Sequence, residues 1–195
     1  MKFFKLLLIE ILNFITFFIY FCPGKAGALL RNFFLKIMLK ELGDNFNSEI
    51  GLSVTGYKNI KIQNNCCFMR YSSINADENS SIQIGNNISV NYNVNINSCN
   101  NGHIEIGDNV MIGQNTVLRA SDHIINDTNE KTSRQSHTGG KITIGNNVWI
   151  GANCVILKNV KIEDNAVIGA GTIVSKNINK NEVVVGNKQR TLKKY

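Results

Sequence analysis

A chain of 195 residues, 43% of them hydrophobic, has room for one elongated domain with a real core and a short appendage. The formal net charge of +7 sits at the two ends: residues 1–45 carry six basic and three acidic groups, residues 171–195 six and one, and the middle nine and ten. Basic ends call for anionic partners, but no aromatic residues interleave with those charges, which speaks against nucleic acid. Five cysteines, odd in number and without metal-ligand spacing, fit a reduced compartment, and the single proline, Pro23, suits stacked strands that need nearly every backbone donor.

From Leu6 to Cys22 runs an apolar segment broken only by Glu10, Asn13 and Thr16. At about 100° per residue, Lys2, Lys5, Asn13 and Thr16 fall on one narrow stripe, so the pattern predicts a helix lying in, or dipping into, a bilayer interface. Its 17 residues are at the short limit for a span. A secretory signal is the rival, since Lys2 and Lys5 precede the run and Ala26-Gly27-Ala28 could pass for a cleavage site; Glu10 inside the run argues against it. After Pro23-Gly24, residues Ala28 to Leu42 have helical spacing, with Arg31, Lys36 and Lys40 among Leu, Phe, Ile and Met. They predict a basic amphipathic helix that caps the rest of the chain, touches anionic lipid, or does both, with Gly43 as its stop.

Beyond this, aliphatic residues return every six positions: weakly from Ile50, then at Ile62, Phe68, Ile74; Ile84, Val90, Ile96; Ile106, Ile112, Leu118; and without a break from Ile144 through Ile150, Ile156, Ile162 and Ile168 to Val174. Neither a helix nor an ordinary strand has that period; it is a hexapeptide repeat. Each hexad makes one short flat strand and a corner, and three close a triangular coil. One coil cannot bury its own apolar edge, so coils stack and pair their backbones above and below.

The starts Ile62, Ile84 and Ile106 are 22 apart, which places a four-residue insertion at one corner of each coil. Ile144 comes 38 later, so a loop of about twenty residues, 124–143, leaves at that same corner. The pairs Asn64-Asn65, Asn86-Asn87, Asp108-Asn109, Asn146-Asn147 and Asp164-Asn165 supply residues that tolerate the left-handed conformation of a tight corner. Cys66 and Cys154 fall on small inward positions and read as core, and the Cys66-Cys67 pair as packing rather than a redox motif. After Asn179 the repeat fades. The expected organisation is an N-terminal helical segment 1–43, a β-helix 44–180 and a basic tail 181–195.

The run Ile142-Thr143-Ile144-Gly145-Asn146-Asn147-Val148-Trp149-Ile150-Gly151-Ala152-Asn153 resembles that of the left-handed parallel β-helix acyltransferases, the hexapeptide-repeat acetyltransferases of the polysaccharide and sugar O-acetyltransferase type. The resemblance covers roughly residues 50–194. It implies a mainly β fold, acetyl-coenzyme A as co-substrate, and a carbohydrate acceptor. His123, at the base of the loop, stands where such enzymes carry the general base, and imidazole has a pKa suited to that task. Asn91, in Val90-Asn91-Tyr92-Asn93, matches a position that contacts the acceptor or thioester region, and His137 in the loop is a second candidate for acceptor contact. Trp149, Gly151, Ala152 and Ala170 match the pantetheine channel, where one backbone amide would also stabilise the thioester oxyanion. Ser175, Lys176, Arg190 and Lys193 match positions against the cofactor's nucleotide and phosphates.

Three departures from the family pattern weaken the match. Ser98 and Cys99 stand where relatives place an acidic residue for the acceptor; Gly186-Asn187-Lys188 replaces Gly-Val-Pro; and Asn159 and Glu163 replace glycines. The zinc pattern of carbonic anhydrase relatives is absent, because His103, His123 and His137 are 20 and 14 residues apart, and no metal is expected. The combined expectation is an O-acetyltransferase acting on a sugar of a bacterial surface polysaccharide or its precursor, in the cytoplasm at the inner face of the membrane. It would work as a homotrimer in which His123 of one subunit faces the Trp149 coil of its neighbour. The alternatives are an N-acetyltransferase of a nucleotide-linked amino sugar and a non-enzymatic, membrane-anchored β-helix scaffold.

Overall fold

Aliphatic residues every sixth position can all be buried together only if the chain winds around them. In the computed structural model, which describes residues 2–124, 137–186 and 190–194, it does so as a triangular parallel β-helix preceded by two α-helices. The expected mainly β fold is therefore the one that forms. The first face stacks Glu41–Leu42, Ile60–Ile62, Ser81–Ile84, His103–Ile106, Lys141–Ile144 and Val160–Ile162. Register is strict: Leu42, Ile62, Ile84, Ile106, Ile144 and Ile162 pair in one inward ladder. The second face runs from Asn47–Ser48 through Met111–Ile112, Trp149–Ile150 and Val167–Ile168, and the third from Ser53–Thr55 through Val117–Arg119 to Ile173–Val174. A fully buried aliphatic side chain contributes roughly 1.5–3 kcal/mol, so these ladders supply most of the driving force.

The corners form as their asparagines require. Asn65, Asn87, Asn109, Asn147 and Asn165 have φ between 55° and 60°, the left-handed region that Asn tolerates best among residues with a side chain. Their amides then bond from coil to coil, Asn65 Nδ2 to Asn87 Oδ1 at 3.0 Å, Asn87 to Asn109 at 3.0 Å and Asn147 to Asn165 at 2.9 Å. Cys66 and Cys154 are buried, and their thiols donate to Gly85 O and Gly169 O at 3.2 and 3.3 Å. Burial pushes both thiols up, which keeps them protonated and inert.

Several boundaries differ from those expected of the sequence. Helix α2 spans Gly24–Met38, not 28–42: Leu39 is extended (φ −67°, ψ 155°) and Lys40 N donates to Tyr57 O. Glu41–Leu42 already pairs with Lys61–Ile62, so the β-helix begins at Glu41, because Leu42 is needed in the aliphatic ladder. Gly43 is thus a corner residue rather than a helix stop. The tail does not fade, since Glu182–Val185 extends the second face and Arg190–Lys194 returns antiparallel to it. The excursion after His123 is shorter than 124–143, because His137–Gly139 pairs back on Ser121–His123 and Lys141 is already in the first face. Residues 125–136 of that loop lie outside the described residues.

Helix α1 spans Lys2–Phe21 and is tied to the body at its C-terminal end. The last carbonyls of a helix lack intrahelical partners and carry the negative end of its dipole. Arg31 of α2 answers both needs: Nη1 donates to Cys22 O at 2.7 Å and Tyr20 O at 3.4 Å, and Nη2 to Ser48 O in the first coil at 3.0 Å. Gly27 permits this approach, since a Cβ there would sit 1.9 Å from Cys22 O. The Tyr20 hydroxyl shares a 2.7 Å hydrogen bond with that of Tyr57, and burial pushes the phenol up. Arg31 is therefore not part of a lipid-facing basic stripe with Lys36 and Lys40: Gly27, Arg31 and Leu35 face inward, while Leu29, Phe33 and Ile37 are 71%, 68% and 60% exposed. Leu35, Leu39 and Leu42 belong to the core, so the end of α2 and the residues after it pack into the β-helix. Among the described residues no helix is long and apolar enough to cross a membrane.

Candidate active site

Stacked coils place equivalent residues of successive repeats one above the other, so a site is built along an edge rather than within one strand. Along the edge between the second and third faces, Asn91, Gly113, Gly151 and Gly169 each come directly after an inward Val or Ile and stack in chain order. Trp149, 53% exposed, stands on the second face between Met111 and Val167. Together with Gln114, Ala152 and Ala170 these residues line an open groove of about 370 Å³. Asn91 and the four expected channel residues, Trp149, Gly151, Ala152 and Ala170, thus meet in one place.

The groove's backbone distinguishes its amides. Gly151 N donates to Ile168 O at 2.7 Å, which commits it to the coil ladder. The backbone bonds engage Ala152 through its carbonyl, which accepts from Gly171 N at 2.8 Å; among the described residues the amides of Ala152 and Ala170 make no such bond. Gly151 must lack a side chain, because a Cβ would lie 2.6 Å from Ala170 N and cover that amide. The Asn91 side chain turns back on its own corner, Oδ1 accepting from Tyr92 N at 2.7 Å.

His123 lies on a different edge, where the third face turns toward the first. Ala120 and Ser121 are buried there, the chain continues outward through Asp122 and His123, and the antiparallel return sets His123 opposite His137. Directly opposed residues of an antiparallel pair share one side of the ribbon. The two imidazoles accordingly pack with ring centroids 3.8 Å apart at 42°. Asp122 points the other way, 4.0 Å from Lys158 Nζ. His103 does not join them: it sits on the first face with Nδ1 2.9 Å from Ser81 Oγ, and only its backbone reaches the hairpin, donating to Gly140 O. At this corner Ser98 Oγ and, at the start of the hairpin, Ser121 Oγ are buried with no hydrogen-bond partner among the described residues. Ser98, at the position of the missing acidic residue, is therefore part of the corner's interior.

Of the remaining expected residues, Ser175 and Lys176 are exposed after the last strand of the third face. The return strand brings the backbones of Arg190 and Lys193 opposite Val185 and Val183, and their side chains lie outside the described residues. Gly113 and Gln114 were not singled out from the sequence, although Ile112-Gly113 repeats the signature of Ile150-Gly151. Among the described residues no three His, Cys, Asp or Glu converge as a metal site requires.

Residues 141–176 match the family model described as bacterial transferase hexapeptide, six repeats. A maltose O-acetyltransferase from Clostridium difficile 630 is 31% identical with a TM-score of 0.61, over 88% of this chain and 78% of its own. A galactoside acetyltransferase solved with coenzyme A is 27% identical with a TM-score of 0.64, over 91% and 76%. A variant of AntD, an N-acyltransferase from Bacillus cereus solved with dTDP and coenzyme A, is 20% identical with a TM-score of 0.73, over 84% and 89%, a likeness of fold. No curated protein sequence matches the chain.

Proposed function

The chain belongs to the hexapeptide-repeat acetyltransferase family, and from that premise we propose that it transfers an acetyl group from acetyl-coenzyme A to a hydroxyl of a sugar in a bacterial surface polysaccharide or its precursor. The observation that carries this reading is the groove beside Trp149, floored by Gly113, Gly151, Ala152, Gly169 and Ala170, in which the amides of Ala152 and Ala170 make no backbone bond among the described residues. A slender thioester arm fits such a groove, and an amide of Ala152 or Ala170 aimed at the carbonyl would stabilise the oxyanion as it forms. The His123 imidazole takes the proton of the acceptor hydroxyl while the oxygen attacks the thioester carbon. As the carbon–sulfur bond breaks, the imidazolium returns that proton to the departing thiolate. His137, packed against His123 with the rings tilted, would then border the acceptor.

Within one chain His123 and the groove occupy different edges of the prism, which supports assembly of the complete site between neighbouring subunits of a homotrimer. In that arrangement Asn91 of one subunit and His123 of the next approach the same thioester. Ser175, Lys176, Arg190 and Lys193, near the last coils, extend the groove toward the nucleotide end of the cofactor. The apolar exterior of α1 and α2 would hold the trimer at the inner face of the cytoplasmic membrane, close to lipid-linked intermediates.

The test is thiol release from acetyl-coenzyme A by the purified protein with polysaccharide fragments, amino sugars and serine as acceptors. Release driven by sugar hydroxyls, from a species that sediments as a trimer, is expected. Release driven only by amines would replace this reading with N-acylation of an amino sugar, and no acceptor-dependent release would leave the scaffold reading.

A further inference from the structure

We propose that the groove at the foot of α1, between the α1–α2 turn and the first coil, is a binding site for the anionic phosphate of a membrane lipid. The groove has a volume of about 540 Å³ and is lined by Gly24, Lys25, Arg31, Glu49, Arg70 and Tyr71, among others. Three cations against one carboxylate leave it at a formal +2. Arg70 donates Nε to Glu49 Oε2 at 2.9 Å, and its side chain is exposed. Lys25 is exposed at the rim.

Two further observations point to an anion. Helix α2, 15 residues long, starts in this groove with Pro23 at its N-cap, a residue with no side-chain acceptor, so the helix has no side-chain cap. Uncapped first-turn amides and the positive end of the dipole attract an anion. Arg31, only 1% exposed, lines the same groove, and among the described residues its Nε has no hydrogen-bond partner. A buried cation satisfied only by carbonyls, with one donor unmet, carries a desolvation cost that a bound phosphate would relieve. Burial holds its guanidinium below the ordinary arginine value, consistent with that cost. Apart from its chain neighbours and its own helix backbone, none of the described residues comes within 4 Å of where a side chain on Gly24 would project, which leaves that approach open.

The surroundings of the groove point to a lipid as the source of the phosphate. Phe14, Phe17, Phe18 and Phe21 of α1 and Leu29 and Phe33 of α2 are 43–71% exposed, an apolar surface on which acyl chains could lie with the headgroup at the helix turn. The inference rests on the membrane contact proposed above and adds a headgroup to it.

The experiment is flotation of the full-length protein with vesicles of phosphatidylcholine alone and of phosphatidylcholine containing phosphatidic acid. The wild type is expected to prefer the second by about twenty-five-fold, two cations near a surface each adding roughly fivefold. The double variant K25Q, R70Q should lose that preference and still float with both. The charge-matched variant K40Q, K58Q, altered at exposed lysines outside the groove, should keep it. Equal losses in the two variants would reduce the effect to diffuse charge and overturn the site. Equal binding of the wild type to both vesicles would overturn the headgroup and leave the membrane contact standing; binding to neither would overturn both. Inorganic phosphate, titrated without vesicles, should bind far more weakly than phosphatidic acid vesicles. Equally tight binding that depends on Lys25 and Arg70 would make free phosphate the ligand and overturn the lipid source.

Discussion

From Glu41 onward the chain turns its ladder aliphatics inward and most of its Asn and Lys outward; before Leu39 much apolar surface faces outward and Arg31 is buried, although Leu35 stays in the core. Ile62, Ile84 and Ile150 are at most 1% exposed, whereas Phe14, Leu29 and Phe33 are 68–71% exposed and Arg31 is buried. The β-helix closes on itself, so its pattern is set by water outside and packing within. Helices α1 and α2 bury a polar joint, Arg31 against the end of α1, and leave apolar surface that none of the described residues covers. A helix apolar on most of its sides belongs against another apolar phase. On the proposed membrane contact the two regions face different surroundings, and the hydrogen-bonded joint at Arg31 sets how one is presented to the other.

If the β-helix owes its stability to its ladders, I150A should cost about 2–5 kcal/mol in urea unfolding, as large-to-small changes in packed cores do. A cost below about 1 kcal/mol would mean that the ladder is looser than its burial indicates. The joint is the next test: R31A strips hydrogen bonds from Cys22 O, Tyr20 O and Ser48 O, and should cost about 2–3 kcal/mol, confined to the helices. Hydrogen exchange should then show α1 opening while the coils from Ile62 onward keep their protection; uniform loss of protection would show the helices and the β-helix to be one cooperative unit. The apolar exterior gives the smallest stability effect. The pair L29S, F33S should change unfolding by no more than about 0.5 kcal/mol per site. It should nonetheless reduce vesicle flotation and detergent demand, and a large loss of stability would place these residues in a packed interface instead.

The legible part of the sequence is the part whose pattern has one physical solution. A six-residue period admits only stacked coils, and Asn65, Asn87 and Asn109 mark corners because the left-handed conformation is hard for other side chains. The orientation of α2 was not legible, since a hydrophobic stripe says nothing of the donors that the end of α1 requires; Gly27, four residues before Arg31, was the signal. The tail was missed because Val184 comes 16 residues after Ile168 rather than 18, which breaks the period while the ladder continues. At the site, Trp149, Gly151, Ala152, Ala170 and Asn91 converge because each lies close to an inward aliphatic residue of its own coil. The separation of His123 from that groove could not be read from spacing, because it depends on which edge of the prism each corner occupies.

Everything proposed for the chemistry turns on His123 serving as the base for acetyl transfer from the Trp149 groove. The direct measurement is turnover of H123A beside its affinity for coenzyme A. A drop in the rate of acceptor-dependent thiol release of about 10² to 10⁴ is expected, with coenzyme A binding and the unfolding midpoint unchanged. Near-normal turnover in H123A, with the fold intact, would contradict that role and move the proton transfer to another residue.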